Sequence, residues 1–219
     1  MKKITVITGH YGSGKTNLSV NLAVKAAQEG KKVTVVDLDL VNPYFRTADF
    51  REMFADMGIK LIAPDFANSN LDVPSIQFDI EQLAKSEGCL IIDVGGDDAG
   101  AFALGRFAEA LNSYGDELDM LYVINQRRYF TENSGEAVSL MYEIERASRM
   151  KHTAVVNNTN LGCETTPEII GRSAEFAEQT AAAAGLPLAF TTCPEELCEL
   201  MDIRDIFPVK VYVKPLWDL

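Results

Sequence analysis

Near the start of the chain, Gly9-His10-Tyr11-Gly12-Ser13-Gly14-Lys15-Thr16 sets glycines, a lysine and a threonine at the spacing GxxxxGK[ST]. That spacing suits a polyphosphate. The glycines let the backbone turn tightly and point its N–H groups at phosphate oxygens, Lys15 can reach the terminal phosphates, and the Thr16 hydroxyl can bind Mg²⁺. Gly9, His10, Tyr11, Gly12, Ser13, Gly14, Lys15 and Thr16, with Asn17 beside them, are therefore the candidate nucleotide cradle. A plain strand-to-helix turn also uses glycine. Here, however, the apolar, β-branched run from Ile4 to Thr8 precedes the loop, and an apolar stripe of Leu18, Leu22, Ala23 and Ala26 follows it. The helix so begun adds its positive end to the site.

Carboxylates stand at the ends of two later apolar runs. Val33-Thr34-Val35-Val36 leads to Asp37-Leu38-Asp39, at a strand's carboxyl end, where open α/β sheets place their ligands and where two aspartates suit Mg²⁺. Cys89-Leu90-Ile91-Ile92 leads to Asp93 and then to Val94-Gly95-Gly96-Asp97-Asp98. This has the form of a Walker B segment: Asp93 would hold Mg²⁺ through water, and Gly95 would let a backbone N–H approach the γ-phosphate. Asp97 and Asp98 suit capping of the next helix better than chemistry. Thr153-Ala154-Val155-Val156 delivers Asn157-Asn158-Thr159-Asn160, where a base edge could be read. Arg127-Arg128, after the run Leu121 to Ile124, can meet a phosphate or a partner, or decorate the surface of an acidic protein.

The elements that must hold these groups alternate along the chain. Gly30 can cap the first helix, Thr47 to Met57 reads as a helix, and Ile59 to Ile62 as a short strand ended by Pro64. A long loop runs from Asp65 to Pro74, and Ile76, Ile80 and Leu83 mark the next helix. Further helices are expected from Asp97 or Asp98 to about Leu111, along Ala137, Leu140, Met141 and Ile144, from Pro167 to Ala184, and briefly after Pro194. Leu186 to Thr191 reads as a strand, and the tail alternates Val209, Val211 and Val213 with Lys210, Tyr212 and Lys214, a strand pattern ended by Pro215. The fold class is α/β, with a mostly parallel sheet flanked by helices on both faces and its ligand at the carboxyl edge. No linker, repeat or low-complexity tract divides the chain, so residues 1–219 are read as one nucleotide-binding domain.

With 47% hydrophobic and 24% charged residues the composition is that of a globular protein, not a disordered one. A formal net charge of −12 repels nucleic acid backbones and anionic membrane surfaces alike, which disfavours both as partners. Met1-Lys2-Lys3 opens too short an apolar run for a signal peptide, and no apolar stretch approaches ~18 residues, so a cytoplasmic location is expected. Cys89, Cys163, Cys193 and Cys198 form no CxxC or CxC pair and announce neither a zinc site nor a redox dithiol. Cys193 and Cys198 could share a metal across a subunit interface, but no His joins them.

In their order and content, Gly9 to Thr16, Val36 to Asn42, Ile91 to Gly96, Asn125 to Thr131 and Val155 to Asn158 resemble the motifs of the ParA/MinD ATPases and their CobQ/CobB relatives. The resemblance implies that Lys15 and Thr16 bind phosphates and Mg²⁺, and that Asp37 supports the metal shell. It gives Asp39 the positioning or activation of the attacking water, and Asp93 the completion of the metal site. The base-reading asparagine falls on Asn157 or Asn158, and a second base loop near Pro194. Set against the guanine-reading NKxD element, Asn157 to Asn160 keeps the leading Asn and lacks the Lys and the Asp, so ATP is expected rather than GTP. Dimer-forming members carry a further lysine just after the first glycine of the loop; here that position is His10. Metal-inserting or cluster-delivering relatives usually bear CxC or CxxC, and membrane-binding relatives a C-terminal amphipathic helix; this sequence has neither pattern.

The resemblance therefore implies a Mg²⁺-dependent ATPase that acts as a switch on an unidentified protein partner, for example in cofactor assembly or enzyme maturation. An ATP-dependent homodimer is also expected, with Arg46 or His10 supplying the cation across the interface. Two alternatives remain. One is a small-molecule kinase or ATP-dependent ligase, with Asp65 to Pro74 and Arg127-Arg128 lining the acceptor site; the other is a nucleotide sensor with little turnover.

Overall fold

The computed structural model describes residues 1–39, 47–63, 80–128 and 131–213. Arg46, Pro64, the Asp65 to Pro74 loop, Ile76, Lys214 and Pro215 lie outside the described residues. Among the described residues, eight strands form one sheet: β1 (Ile4–Gly9), β2 (Val33–Leu38), β3 (Lys60–Ile62), β4 (Cys89–Val94), β5 (Leu118–Ile124), β6 (Ala154–Asn157), β7 (Leu188–Pro194) and β8 (Ile206–Val209). Their order is β3-β2-β4-β1-β5-β6-β7-β8. Every pairing is parallel. Parallel strands covered on both faces read as unbroken apolar runs, and β1 and β4 are buried at every position.

The crossovers are α1 (Lys15–Gln28), α2 (Arg51–Asp56) entered through a 3₁₀ turn at Thr47–Phe50, α3 (Ile80–Lys85), α4 (Asp98–Gly105), α5 (Ala108–Asn112), α6 (Ser134–Ser148), α7 (Pro167–Arg172) and α8 (Ala174–Ala184). Alternate strand residues serve opposite faces. Ile7, Val35, Ile91 and Val123 pack with Leu18, Leu22 and Ala23 of α1 and Phe54 of α2. On the other side Val6, Val36, Ile92 and Met120 meet Ile80 of α3, Leu104 of α4 and Leu111 of α5. Tyr122 and Val155 meet Ala137 and Met141 of α6 and Phe176 of α8. Each large apolar side chain fully buried this way contributes about 1.5–3 kcal/mol, which makes the centre of the sheet a stiff platform for its loops.

Four expectations are corrected. The helix expected to reach Leu111 restarts after Gly105, where bonding tightens to Arg106 N–H on Ala103 O and Phe107 N–H on Leu104 O. The helix from Pro167 to Ala184 breaks at Ser173, whose hydroxyl and N–H both donate to Ile170 O, an alternative to the helical ladder. The tail strand is Ile206–Val209, not the alternating run beyond it. Lys210 N–H donates to Asn21 Oδ1 at 2.8 Å and Tyr212 N–H to Asn17 Oδ1 at 2.8 Å, so this backbone is stitched to α1 instead of to a strand. The acidic segment after Pro194 is a 3₁₀ turn, Glu195–Leu200, rather than an α-helix.

Candidate functional site

β1 lies between β4 and β5, so the loop leaving it rises where crossovers depart in both directions, the place where open α/β sheets form a crevice. Its glycines are fixed by close approach. A Cβ on Gly9, at φ 147, would stand 2.3 Å from the Val123 carbonyl oxygen, and one on Gly14, at φ 88, 2.2 Å from the Asn158 amide nitrogen. Ser13 N–H closes the turn on His10 O at 3.1 Å. Gly14 is the N-cap of α1, no side chain caps that end, and its first turn holds no acidic residue, so the positive end of the helix faces the loop.

Lys15 is 7% exposed, and its Nζ donates to His10 O at 3.0 Å, inside the loop it belongs to. Burial pulls its ammonium below the usual lysine range, against the charges of Asp93, Asp39 and Asp97. Burial and then the nearby Lys15 lower the His10 ring below its usual value. Tyr11 is exposed, and its backbone backs onto Gly96: a Cβ there would lie 2.7 Å from Tyr11 N and 2.7 Å from Lys15 Nζ. Gly96 is thus the glycine that meets the loop. Gly95, singled out in the sequence, lies instead against Asp39, 3.2 Å from Cβ position to Oδ1.

Asp37 and Asp93 are partners in register on β2 and β4, both buried. Asp37 Oδ1 accepts the Asp39 N–H at 3.0 Å. Asp93 Oδ2 accepts from Thr47 Oγ1 at 2.7 Å, while Asp93 Oδ1 is buried without a hydrogen-bond partner. Burial pushes the Asp93 carboxyl upward, against the Thr47 bond, the charge of Lys15 and the hydroxyls of Thr16 and Ser19. A buried carboxylate oxygen with no partner, beside Thr16 and a second buried aspartate, fits a hard cation that prefers oxygen ligands. Thr47 is a residue that sequence reasoning missed. A threonine opening a helix reads as a cap, and nothing local marks its hydroxyl as Asp93's partner.

Asp97 caps α4, accepting from Gly100 N–H at 2.8 Å. Asn157 is fully buried: its Nδ2 donates to Ser173 Oγ at 2.9 Å and its Oδ1 accepts from Thr159. Asn158 reaches the loop itself, Nδ2 donating to Ser13 O at 2.6 Å while Oδ1 accepts from Thr192. Pro194 closes β7 two residues beyond Thr192. The Asn17 side chain faces the tail, donating to Lys210 O and accepting from Tyr212 N–H. Cys198 Sγ donates to Pro194 O and Cys193 O, and among the described residues no three His, Cys, Asp or Glu gather as a metal set.

What the fold does with these groups is to hold a glycine loop, a buried lysine and paired aspartates at one strand edge, which defines a P-loop NTPase. Such a fold binds nucleotide and typically Mg²⁺. The chain belongs to the CobQ/CobB/MinD/ParA nucleotide-binding domain family, whose pattern matches residues 4–170. It is 44% identical over 52 residues to the tyrosine-protein kinase YwqD of Bacillus subtilis, covering 24% of this chain and 22% of that protein. It is 33% identical over 87 residues to an iron-sulfur cluster carrier protein of Saccharolobus solfataricus, covering 34% and 29%. The chain therefore spans less than a third of either relative's length. Among solved structures it is similar in fold to FtsY of Mycoplasma mycoides (TM-score 0.61, 18% identity, 88% of this chain and 60% of that one). FtsY of Thermotoga maritima is similar too (TM-score 0.59, 17% identity, 89% and 63%). No helix among the described residues is long and apolar enough to cross a membrane.

Proposed function

We propose that this chain is a Mg²⁺-dependent ATPase whose nucleotide state controls a protein partner, in cofactor assembly or enzyme maturation. The observation that carries the chemistry is the buried Asp93, with Oδ1 unpartnered, set beside Lys15 and in register with Asp37. Thr16, Asp37 and Asp93 are the residues that would hold Mg²⁺, whose contribution when bound is to neutralise charge on the phosphate oxygens. The loop's N–H groups and Lys15 bind the phosphates, and burial of Lys15 strengthens that contact by excluding water. Asp39, against Gly95, orients the attacking water. ATP is favoured over GTP because Asn157 to Asn160 offers no acidic group to guanine's N–H donors. The partner reading draws support from the likeness to a cluster carrier, and the likeness to a tyrosine-protein kinase supports phosphoryl transfer without pointing to a small-molecule acceptor; each covers about a third of the chain or less.

Calorimetry and ADP release test this together. Lys15→Ala should abolish tight Mg-ATP binding, whereas Asp39→Ala should bind ATP and hydrolyse it slowly. Slow wild-type turnover raised by a protein captured on Asp39→Ala supports the switch. Fast turnover with one added metabolite supports a kinase instead, and ATP affinity unchanged by Lys15→Ala defeats both.

A further inference from the structure

We propose that Arg128 is a phosphate-binding cation supplied from within the same chain, at the loop where position 10 is a histidine. This rests on the nucleotide reading above. A Cβ on Gly12 would stand 3.3 Å from Arg128 Nε and 3.4 Å from its Cζ, so the guanidinium lies against the phosphate loop itself. It comes there because β5 is β1's neighbour, with Val123 opposite Gly9, and Arg128 follows β5 by four residues.

The turn that carries Arg128 is held from every side. Asn125 is fully buried; its Oδ1 accepts from Arg127 N–H at 2.9 Å and its carbonyl from Arg128 N–H at 3.1 Å. Thr131 Oγ1 bonds both Asn125 O, at 2.8 Å, and Arg128 O, at 3.1 Å. Across the sheet, Gln126 N–H donates to Thr159 Oγ1 at 3.1 Å and Asn125 Nδ2 to Asn160 O at 3.3 Å. The backbone is thereby fixed while the Arg128 side chain stays exposed, and no carboxylate among the described residues forms a salt bridge with it.

A guanidinium stays charged at any physiological pH and offers two parallel donors to phosphate oxygens. The ligand is a nucleoside triphosphate, and its terminal phosphates are the part recognised. In a protein of net charge −12, a fixed local cation offsets the repulsion that the polyphosphate meets on approach.

The test is calorimetry with Mg-ATP and Mg-ADP, with a melting curve for each variant. Removing one charge-assisted donor from the terminal phosphates should weaken ATP about ten- to hundredfold in Arg128→Ala, ADP much less, and equally at low and high protein concentration. Arg128→Lys should restore part of the affinity, and Arg146→Ala, at an exposed position of α6, should leave both nucleotides bound as in wild type. Wild-type ATP affinity in Arg128→Ala overturns the assignment alone. So does an equal weakening of ATP and ADP accompanied by a lower melting point, which is the mark of a structural role, or a weakening that emerges only at concentrations where copies associate. A wild-type protein that binds no nucleotide overturns the underlying reading and the assignment with it.

Discussion

Asn158→Ala separates a structural clamp from a base reader. The side chain is 4% exposed, and truncating it strands the buried Ser13 carbonyl that accepts its Nδ2 at 2.6 Å and leaves the Thr192 hydroxyl, which donates to its Oδ1, only the longer bond to Asn157 O at 3.4 Å. A buried polar group left without its partner costs roughly 1–3 kcal/mol, so the two together should cost about 3 kcal/mol after partial relaxation. For a domain of this size each kcal/mol moves the melting point by about 2–4 °C, which gives a fall of about 6–12 °C. Differential scanning calorimetry without nucleotide measures it. Because Ser13 lies in the loop, ATP affinity should fall along with stability, while the ratio of ATP to GTP affinity should hold. A ligand-free melting point within about 1 °C of wild type, combined with a collapsed ATP-to-GTP ratio, would refute the clamp and leave Asn158 as a reader of the base.

In competition against a labelled nucleotide, ATP should displace far better than GTP, and equal displacement would overturn the base assignment. Stability should also depend on pH through the fully buried His152 ring, which lies between Thr8 Oγ1 at 2.7 Å and Glu145 Oε1 at 3.2 Å. Burial holds His152 below its usual 6.5, against the pull of Glu145, so the folded state binds this proton less readily than the unfolded chain and stability should decline as pH drops below about 6.5. Burial raises the Glu145 carboxyl, but bonds from His152 and Lys151 outweigh that and hold it at about 2; its contribution, present above the ordinary carboxylate value of 4.5, is lost as pH falls from there toward about 2. Urea midpoints flat from neutral pH to about 5 would contradict the His152 part. Finally, light scattering of Asp39→Ala with Mg-ATP should report a dimer that Arg46→Ala weakens, and a monomer in both samples would exclude it.

The features legible in the sequence are those written locally. Gly9 to Thr16, the apolar runs ending in Asp37 and Asp93, and the alternation of strand and helix each need only neighbours along the chain to be read. What crosses the sheet is not written that way. Thr47 meets Asp93 across 46 residues only because β2 and β4 pair in register, and Asn158 reaches Ser13 only because its strand ends beside the loop. Nothing near Arg128 says that β5 will stand next to β1. The tail shows the opposite failure. Its period-two pattern specifies extended chain but not a partner, and Asn17 and Asn21, one helical turn apart on α1, take the hydrogen bonds a strand would have taken.

The placement of β1 has a consequence for how the molecule comes into being. The first strand of the chain pairs with two late ones, Ile4 lying opposite both Leu90 and Leu118. Closing such long loops costs entropy before any strand bond repays it, which makes this kind of topology slow to form. The phosphate loop inherits the delay, since Gly9 is seated against the Val123 carbonyl and Ser13 is held by Asn158. A growing chain that has emerged through Thr16 but not through β5 carries the whole motif without the Val123 and Asn158 contacts that seat it. Nucleotide therefore cannot nucleate the first half of the protein. It acts on the finished sheet alone, as a ligand that binds the native state and draws the folding equilibrium toward it after the slow pairing is done.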